Sequence, residues 1–288
     1  MKIISSFMDD LIIRKGVCHS IVFESTRIQM HFRQLLRGFF NRDKSKEFEY
    51  INIINSRGDS IKCKEFYFIE FDCQSISLRN EKSTNKVVQD LLRYQLENNP
   101  QFLEEYIKLN TELERFISEI ELKSDDLTIE FEMSDNLISN IIKSFVILFE
   151  YEEEDYVPNY IIRKFLLESL LQLNVTNKEV FLLFSFPEVD IGFEDYPKVV
   201  EYLKKLNITT LIITTHSYFS RAANQMFLIN RSGALYDIIN LGKELVKFDL
   251  VNKDQESDMS KFLAYKDFTG DYDLLDSELK NFLLSNRF

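Results

Sequence analysis

Residues 180–219 read VFLLFSFPEVDIGFEDYPKVVEYLKKLNITTLIITTHSYF, and this stretch decides the fold. Its two apolar runs, Val180–Phe186 and Ile208–Thr215, are continuous rather than alternating. Alternation disappears when a strand is covered on both faces, so both runs are expected as buried strands of a parallel sheet. The turn-forming Pro187-Glu188 and an amphipathic helix between them supply the long crossover that parallel neighbours require. This is the middle of an α/β sheet of the nucleotide-binding kind. Yet Gly-Lys-Ser and Gly-Lys-Thr occur nowhere in the chain, so the backbone cradle and the lysine that grip ATP phosphates are missing. The scaffold therefore points toward binding.

The N-terminal part extends the same reading. Ser20–Phe23 is expected as a short strand that runs through Glu24-Ser25-Thr26 into a helix over residues 27–40, with Ser25 or Thr26 as N-cap. Ile28, Phe32, Leu35, Leu36 and Phe39 share one helical face, while Arg27, Arg33 and Arg37 lie outside it and are expected to face solvent or a ligand. Strands follow over Tyr50–Ile54 and Phe66–Phe71, on either side of the turn-like Asn55–Asp59. Where a phosphate loop would sit, the chain has FESTRIQMHF, without a glycine to form the backbone nest. The second nucleotide signature is altered too. LLFSFPE carries Ser185 where a magnesium-binding aspartate is expected, leaving Glu188 as the nearby carboxylate. Thr215-His216-Ser217 resembles the switch histidine of ABC-type ATPases, but without a phosphate to read His216 is expected to be satisfied within the fold.

Composition limits the function classes. A chain of 288 residues that is 45% hydrophobic can bury a substantial core in one or two domains. Cys18, Cys63 and Cys73 are odd in number and form no C-x-x-C motif, which argues against a disulfide framework or a zinc site and favours a reducing cytosol. No apolar run reaches the roughly 20 residues of a membrane helix, and the start MKIISSFMDDLII carries carboxylates where a signal peptide is apolar. A cytoplasmic protein with no membrane span is expected. The formal net charge of -12 opposes indiscriminate nucleic-acid binding but leaves room for a local basic groove.

The middle of the chain changes character. From about Ser83 to Leu122 the pattern is helical, interrupted at Asn98-Asn99-Pro100; Phe102, Tyr106, Leu113, Phe116 and Ile120 then recur over several turns as an extended arm. Ser124-Asp125-Asp126 breaks it. The strand Leu127–Met133 follows, then a helix capped by Ser134-Asp135. In I-E-F-E-M, Glu130 and Glu132 point to one face roughly 7 Å apart, with Asp135 just beyond. Converging carboxylates suit a hard cation such as calcium or magnesium; the same alternation also describes the solvated face of a half-buried strand. Another helix is expected over Asn159–Leu173. After His216 come a short helix, the strand Met226–Ile229, a turn at Ser232-Gly233, and a charged helical tail from about Asp237.

The order of these pieces resembles the CRISPR-associated Csn-two family, ring-forming spacer-acquisition proteins of type II-A systems. The similarity rests on LIIRKGVCHSIVFES with Gly16 and Glu24, on NNPQFLEEYIKL, IEFEMSDNLISNIIKSF, VFLLFSF and KLNITTLIITTHSYF, collinear over about residues 5–232. No single piece is a catalytic signature. The resemblance implies a degenerate P-loop-NTPase-like α/β head over 1–80 and 150–240, a helical arm inserted over 81–149, and a helical C-terminal extension over 241–288 as in the extended subtype. It implies a non-enzymatic homotetrameric ring that holds calcium and threads linear double-stranded DNA, with the adaptation integrase complex and effector nuclease as partners. On that reading Glu130, Glu132 and Asp135 are the calcium ligands. Basic residues off the apolar stripes, Arg33 and Arg37 on the first helix and Lys108 and Arg115 on the arm, are the expected phosphate contacts. Two other classes stay open: an ABC-like NTPase with an atypical phosphate site using His216 and Glu188, and a metal-dependent nuclease built on the acidic strand.

Overall fold

The structure, a computed structural model, describes residues 1–41, 50–72, 82–119, 122–124, 127–129, 137–145, 159–173 and 178–285. The chain divides into two compact units: Met1–Ile76, Pro158–Leu167 and Thr176–Phe288 form the first, and Ser77–Val157 with Glu168–Val175 the second.

In chain order the first unit begins with β1 (Lys2–Ser5), β2 (Leu11–Ile12), β3 (Cys18–Phe23), α1 (Thr26–Asn41), β4 (Ile51–Ile54) and β5 (Phe66–Asp72). The second unit holds α2 (Lys82–Glu97), α3 (Pro100–Ser118), β6 (Leu122–Ser124), β7 (Leu127–Ile129) and α4 (Leu137–Ser144); the boundary between units falls within α5 (Asn159–Leu173). The first unit resumes with β8 (Glu179–Ser185), α6 (Pro187–Asp190), α7 (Tyr196–Lys205), β9 (Thr209–Ile213), α8 (Ser217–Arg221) and β10 (Gln225–Ile229). It closes with α9 (Ile238–Lys247), α10 (Glu256–Thr269) and α11 (Ser277–Ser285).

Five strands make one all-parallel sheet in the order β10-β3-β9-β8-β5. The expectation for residues 180–219 holds: β8 and β9 are adjacent, and all but the first residue of β8 and every residue of β9 are buried. Both faces are covered. On one face Ile21, Phe23, Phe181, Leu183, Leu211 and Ile213 pack with Phe32, Leu35, Leu36 and Phe40 of α1. Ile3, Leu11, Ile51 and Ile53 from an antiparallel sheet of order β2-β1-β4 complete that core. On the other face Val22, Met226 and Leu228 meet Leu241 and Leu245 of α9, Leu263 of α10, and Phe282 and Leu283 of α11. The tail expected as an extension beyond residue 240 is thus part of the first unit's core. The turn expected at Pro187-Glu188 is a single helical turn instead, entered through Phe186 at φ 58°.

Two junctions fix the sheet. Gly16 adopts φ +67°, and a Cβ there would meet the Asn207 Oδ1 at 2.1 Å, so this turn before β3 requires glycine. Its N–H donates to Thr209 Oγ1 at 2.9 Å, tying the start of β3 to the start of β9. Beyond β10 the chain reverses through Asn230–Gly233, Leu235 forms a bridge with Ile229, and the Tyr236 N–H donates to the Leu228 carbonyl at 2.9 Å.

In the second unit, Asn99 caps α3 by accepting from the N–H groups of Gln101 and Phe102 at 3.1 and 3.3 Å, with Pro100 in the first turn. This is why Asn98-Asn99-Pro100 separates two helices. Ile107 and Phe116 of α3 are exposed. Of the strand expected over Leu127–Met133, residues 127–129 pair with β6, and the remainder lies outside the described residues.

Two outcomes are expected. Phe181 is wholly buried, with ring contacts to Phe40, Phe66 and Phe68; Phe181→Ala should cost about 3–5 kcal/mol in urea unfolding. His19 is buried in β3, where its Nε2 accepts the Arg14 N–H at 3.1 Å and its ring stacks on Phe227. Burial lowers its pKa below the ordinary value. The unfolded chain then takes up a proton that the folded chain resists, so stability should fall as pH drops from about 7.5 to 5.5, around the unperturbed histidine value. His19→Gln should flatten that slope in a pH series of unfolding curves.

Candidate functional site

Ligands of open α/β sheets bind outside the carboxyl ends of the strands, because helix N-termini and loops converge there. In this chain that edge is occupied by its own side chains. On β5 the period of two places Phe66, Phe68, Glu70 and Asp72 on one face. The first two join the core under α1, and the two carboxylates continue the same stripe to the strand's end. Arg33 and Arg37 lie one turn apart on α1 and reach them. Arg33 Nε pairs with Glu70 at 2.9 Å and its Nη2 with Asp72 at 2.5 Å. Arg37 Nε pairs with Glu70, and its Nη2 with Asp72 at 2.9 Å. Both arginines thus bridge both carboxylates.

The cluster is well covered: the Arg33 and Glu70 side chains are each 11% exposed. Burial pulls the Arg37 pKa down, but hydrogen bonds and charge from Glu70 and Asp72 outweigh it and leave the value above its ordinary level. Ser185, at the position of the missing aspartate, is buried in register with Asp72, and its Oγ contacts Glu70 Oε1 at 3.5 Å. The Arg33 guanidinium also sits 5.7 Å from the ring centroid of Phe186, the left-handed residue that follows.

The remaining strand ends are closed in the same manner. Glu188 accepts from Thr214 Oγ1 at 2.8 Å, from the Thr215 N–H at 3.0 Å and from Thr215 Oγ1 at 3.2 Å. Its carboxylate therefore fastens the end of β9. Glu24, just after β3, pairs with Arg231 Nε at 2.8 Å and accepts the Arg231 N–H at 3.1 Å. His216 caps α8: its Nδ1 accepts the Tyr218 N–H at 3.2 Å, and its ring packs edge-on to Phe193 and Phe219. These contacts give the histidine a structural place.

The four basic residues expected to touch DNA separate into two groups. Arg33 and Arg37, expected to face solvent or a ligand, face Glu70 and Asp72 instead. The helical pattern showed only that they were off the apolar stripe, and the carboxylates of β5 decide their direction. Lys108 and Arg115 are exposed on α3. Lys108 pairs with Glu104 at 3.1 Å and Glu105 at 3.0 Å, and Arg115 with Glu112 at 3.3 Å. Such surface pairs contribute about 0–1 kcal/mol, so a phosphate can displace them. Glu130, Glu132 and Asp135 lie outside the described residues. Sequence reasoning missed Glu70 and Asp72, although FYFIEFD carries the signal: two charges on the covered face of a strand demand counter-charges.

No protein-family model matches the chain, and no curated protein matches it. Among solved structures it matches Stu0660 of Streptococcus thermophilus, a Csn-two protein, with a TM-score of 0.63 and 17% identity over 88% of this chain and 81% of that one. It also matches the dimeric MJ0796, a bacterial ABC transporter cassette, at 13% identity over 78% and 86% of the two chains with a TM-score of 0.39. A nucleotide-free ATP-binding cassette from an ABC transporter matches at 11% identity over 82% and 90%, with a TM-score of 0.40. The first likeness establishes the fold; the other two are too distant to carry weight.

Removing one member of the cluster should expose the cost of an uncompensated buried charge. Glu70→Ala should destabilise by about 3 kcal/mol, against about 1 kcal/mol for the more exposed Arg37→Ala. The double replacement Arg33→Met with Glu70→Leu should recover much of the Glu70→Ala loss in denaturant unfolding.

Proposed function

We propose that this chain, whose fold is Csn-two-like, is a non-enzymatic CRISPR-associated protein that binds linear double-stranded DNA without sequence preference during spacer acquisition. The observation that carries the reading is the closed carboxyl edge of the sheet. Arg33, Arg37, Glu70 and Asp72 neutralise one another at the carboxyl end of β5, and Glu188 is committed to Thr214 and Thr215. An ABC-like NTPase would need this edge open.

In this reading the subunits assemble as a homotetrameric ring in the cytoplasm, and the adaptation integrase complex and effector nuclease are its partners. Topology then compensates for weak individual phosphate contacts. Calcium is the metal, with Glu130, Glu132 and Asp135 as ligands; neutralising these carboxylates reduces repulsion of DNA by a chain of net charge -12. Lys108 and Arg115 on α3 are the phosphate contacts, since their surface partners are readily exchanged. Among the described residues no helix is long and apolar enough to cross a membrane.

The test compares linear duplex with covalently closed circular DNA of the same sequence, with calcium and with chelator, while oligomer mass is followed. The expected result is a calcium-stabilised tetramer that retains the linear form and releases the circle. Equal binding to both forms, or hydrolysis of ATP by the purified chain, would overturn the proposal. Lys108→Glu with Arg115→Glu should weaken linear-DNA binding and reduce the salt slope by about one per lost contact.

A further inference from the structure

We propose that a pocket of the first unit, walled by α7, α8 and α10, binds a small phosphate ester. The cavity measures about 660 Å³, ample for a mononucleotide-sized ligand. Three cations converge on it from three helices: Lys204 from α7, Arg221 from α8 and Lys261 from α10. Lys261 is only 8% exposed, although lysine is seldom buried without a carboxylate against it. Its Nζ donates to the Ala223 carbonyl at 2.7 Å, which uses one of three donors.

Counter-charge is scarce. Neither Lys204 nor Arg221 forms an ion pair among the described residues, and the Arg221 guanidinium lies 4.9 Å from the ring centroid of Phe262. Of the two carboxylates in the lining, Glu201 pairs with Lys205 at 2.7 Å, which leaves Asp258, whose charge acts on Lys261, against three lining cations. Burial lowers the Lys261 pKa; Asp258 opposes that shift, and Lys204 and Arg221 add to it. Elsewhere in this molecule a buried cation meets carboxylates, as Arg33 meets Glu70 and Asp72. Here the concave surface has the charge of an anion site without an anion of its own. A phosphate group supplies the missing negative charge and the acceptors, and three converging donors suit its oxygens. The ring of Tyr218, 40% exposed at the wall, gives a planar ester group a face to lie against.

The site is distinct from the DNA contacts proposed on α3, and it uses the tail helix α10, so ligand binding would fasten the tail to the sheet. The 288-residue chain is titrated calorimetrically with inorganic pyrophosphate and, separately, with AMP. The same titrations are run on Lys204→Ala and Arg221→Ala, both exposed positions, and on Lys243→Ala of α9 as a control. Saturable binding by the parent chain is expected, with about tenfold weaker affinity in each pocket variant and none of that loss in the control. Tighter binding of AMP than of pyrophosphate, lost in Tyr218→Ala, would identify a nucleotide; equal binding would identify the bare phosphate group. Absence of saturable binding of either probe, or equal affinities in pocket variants and control, would overturn the site. Retention of duplex DNA with neither small probe bound would overturn it as well.

Discussion

Two arginines one turn apart on α1 hold two carboxylates two residues apart on β5, and much of the first unit's geometry depends on that grip. A helix repeats its face every three to four residues and a strand every two, so Arg33 with Arg37 and Glu70 with Asp72 present matched forks only in one relative setting. The aromatic packing of Phe40 against Phe66, Phe68 and Phe181 holds the other end of the same contact. Apolar burial supplies most of the stabilisation but little direction; the paired charges add direction. Helix α1 is thereby locked to an edge strand of the sheet, and both its arginines are committed to that strand's carboxylates.

The same economy of charge runs through the molecule. A net charge of -12 suggests a surface on which every cation is met by a carboxylate. That holds for Arg33, Arg37, Lys108, Arg115 and Arg231, each paired with at least one acidic neighbour. The cavity beside α10 departs from it, since Lys204, Arg221 and Lys261 converge where carboxylates are outnumbered. Functional reading therefore follows local balance more closely than total charge.

Much of the fold was legible because its signals are local. The unbroken apolar runs of β8 and β9, the stripe of α1, the Asn99-Pro100 cap of α3 and the helix Asn159–Leu173 are each written within a dozen or so residues. The misses are non-local. β1 and β2 are four and two residues long, too short for periodicity to register, and exist through pairing with each other and with β4. The tail read as charged and helical, but its face against Val22, Met226 and Leu228 depends on where β10 lies. Arg33 and Arg37 were recognised as off the stripe; only the neighbouring strand reveals that they point at Glu70 and Asp72. Ser185 ends β8, as the run LLFSFPE implies, whereas the groups that fill the edge come from a strand three positions away from β3 in the sheet.

The reversal after β10 governs how such a chain can associate. An outer strand normally offers a ladder of unpaired backbone groups to any extended peptide. On β10 the Leu228 carbonyl already receives the Tyr236 N–H, and Ile229 is bridged to Leu235. The end of that border is covered by the chain's own continuation, which shortens the ladder open to an incoming segment. Where the ladder is covered, contacts on this flank fall to side chains, whose shape and charge discriminate between partners, rather than to backbone pairing, which accepts almost any sequence.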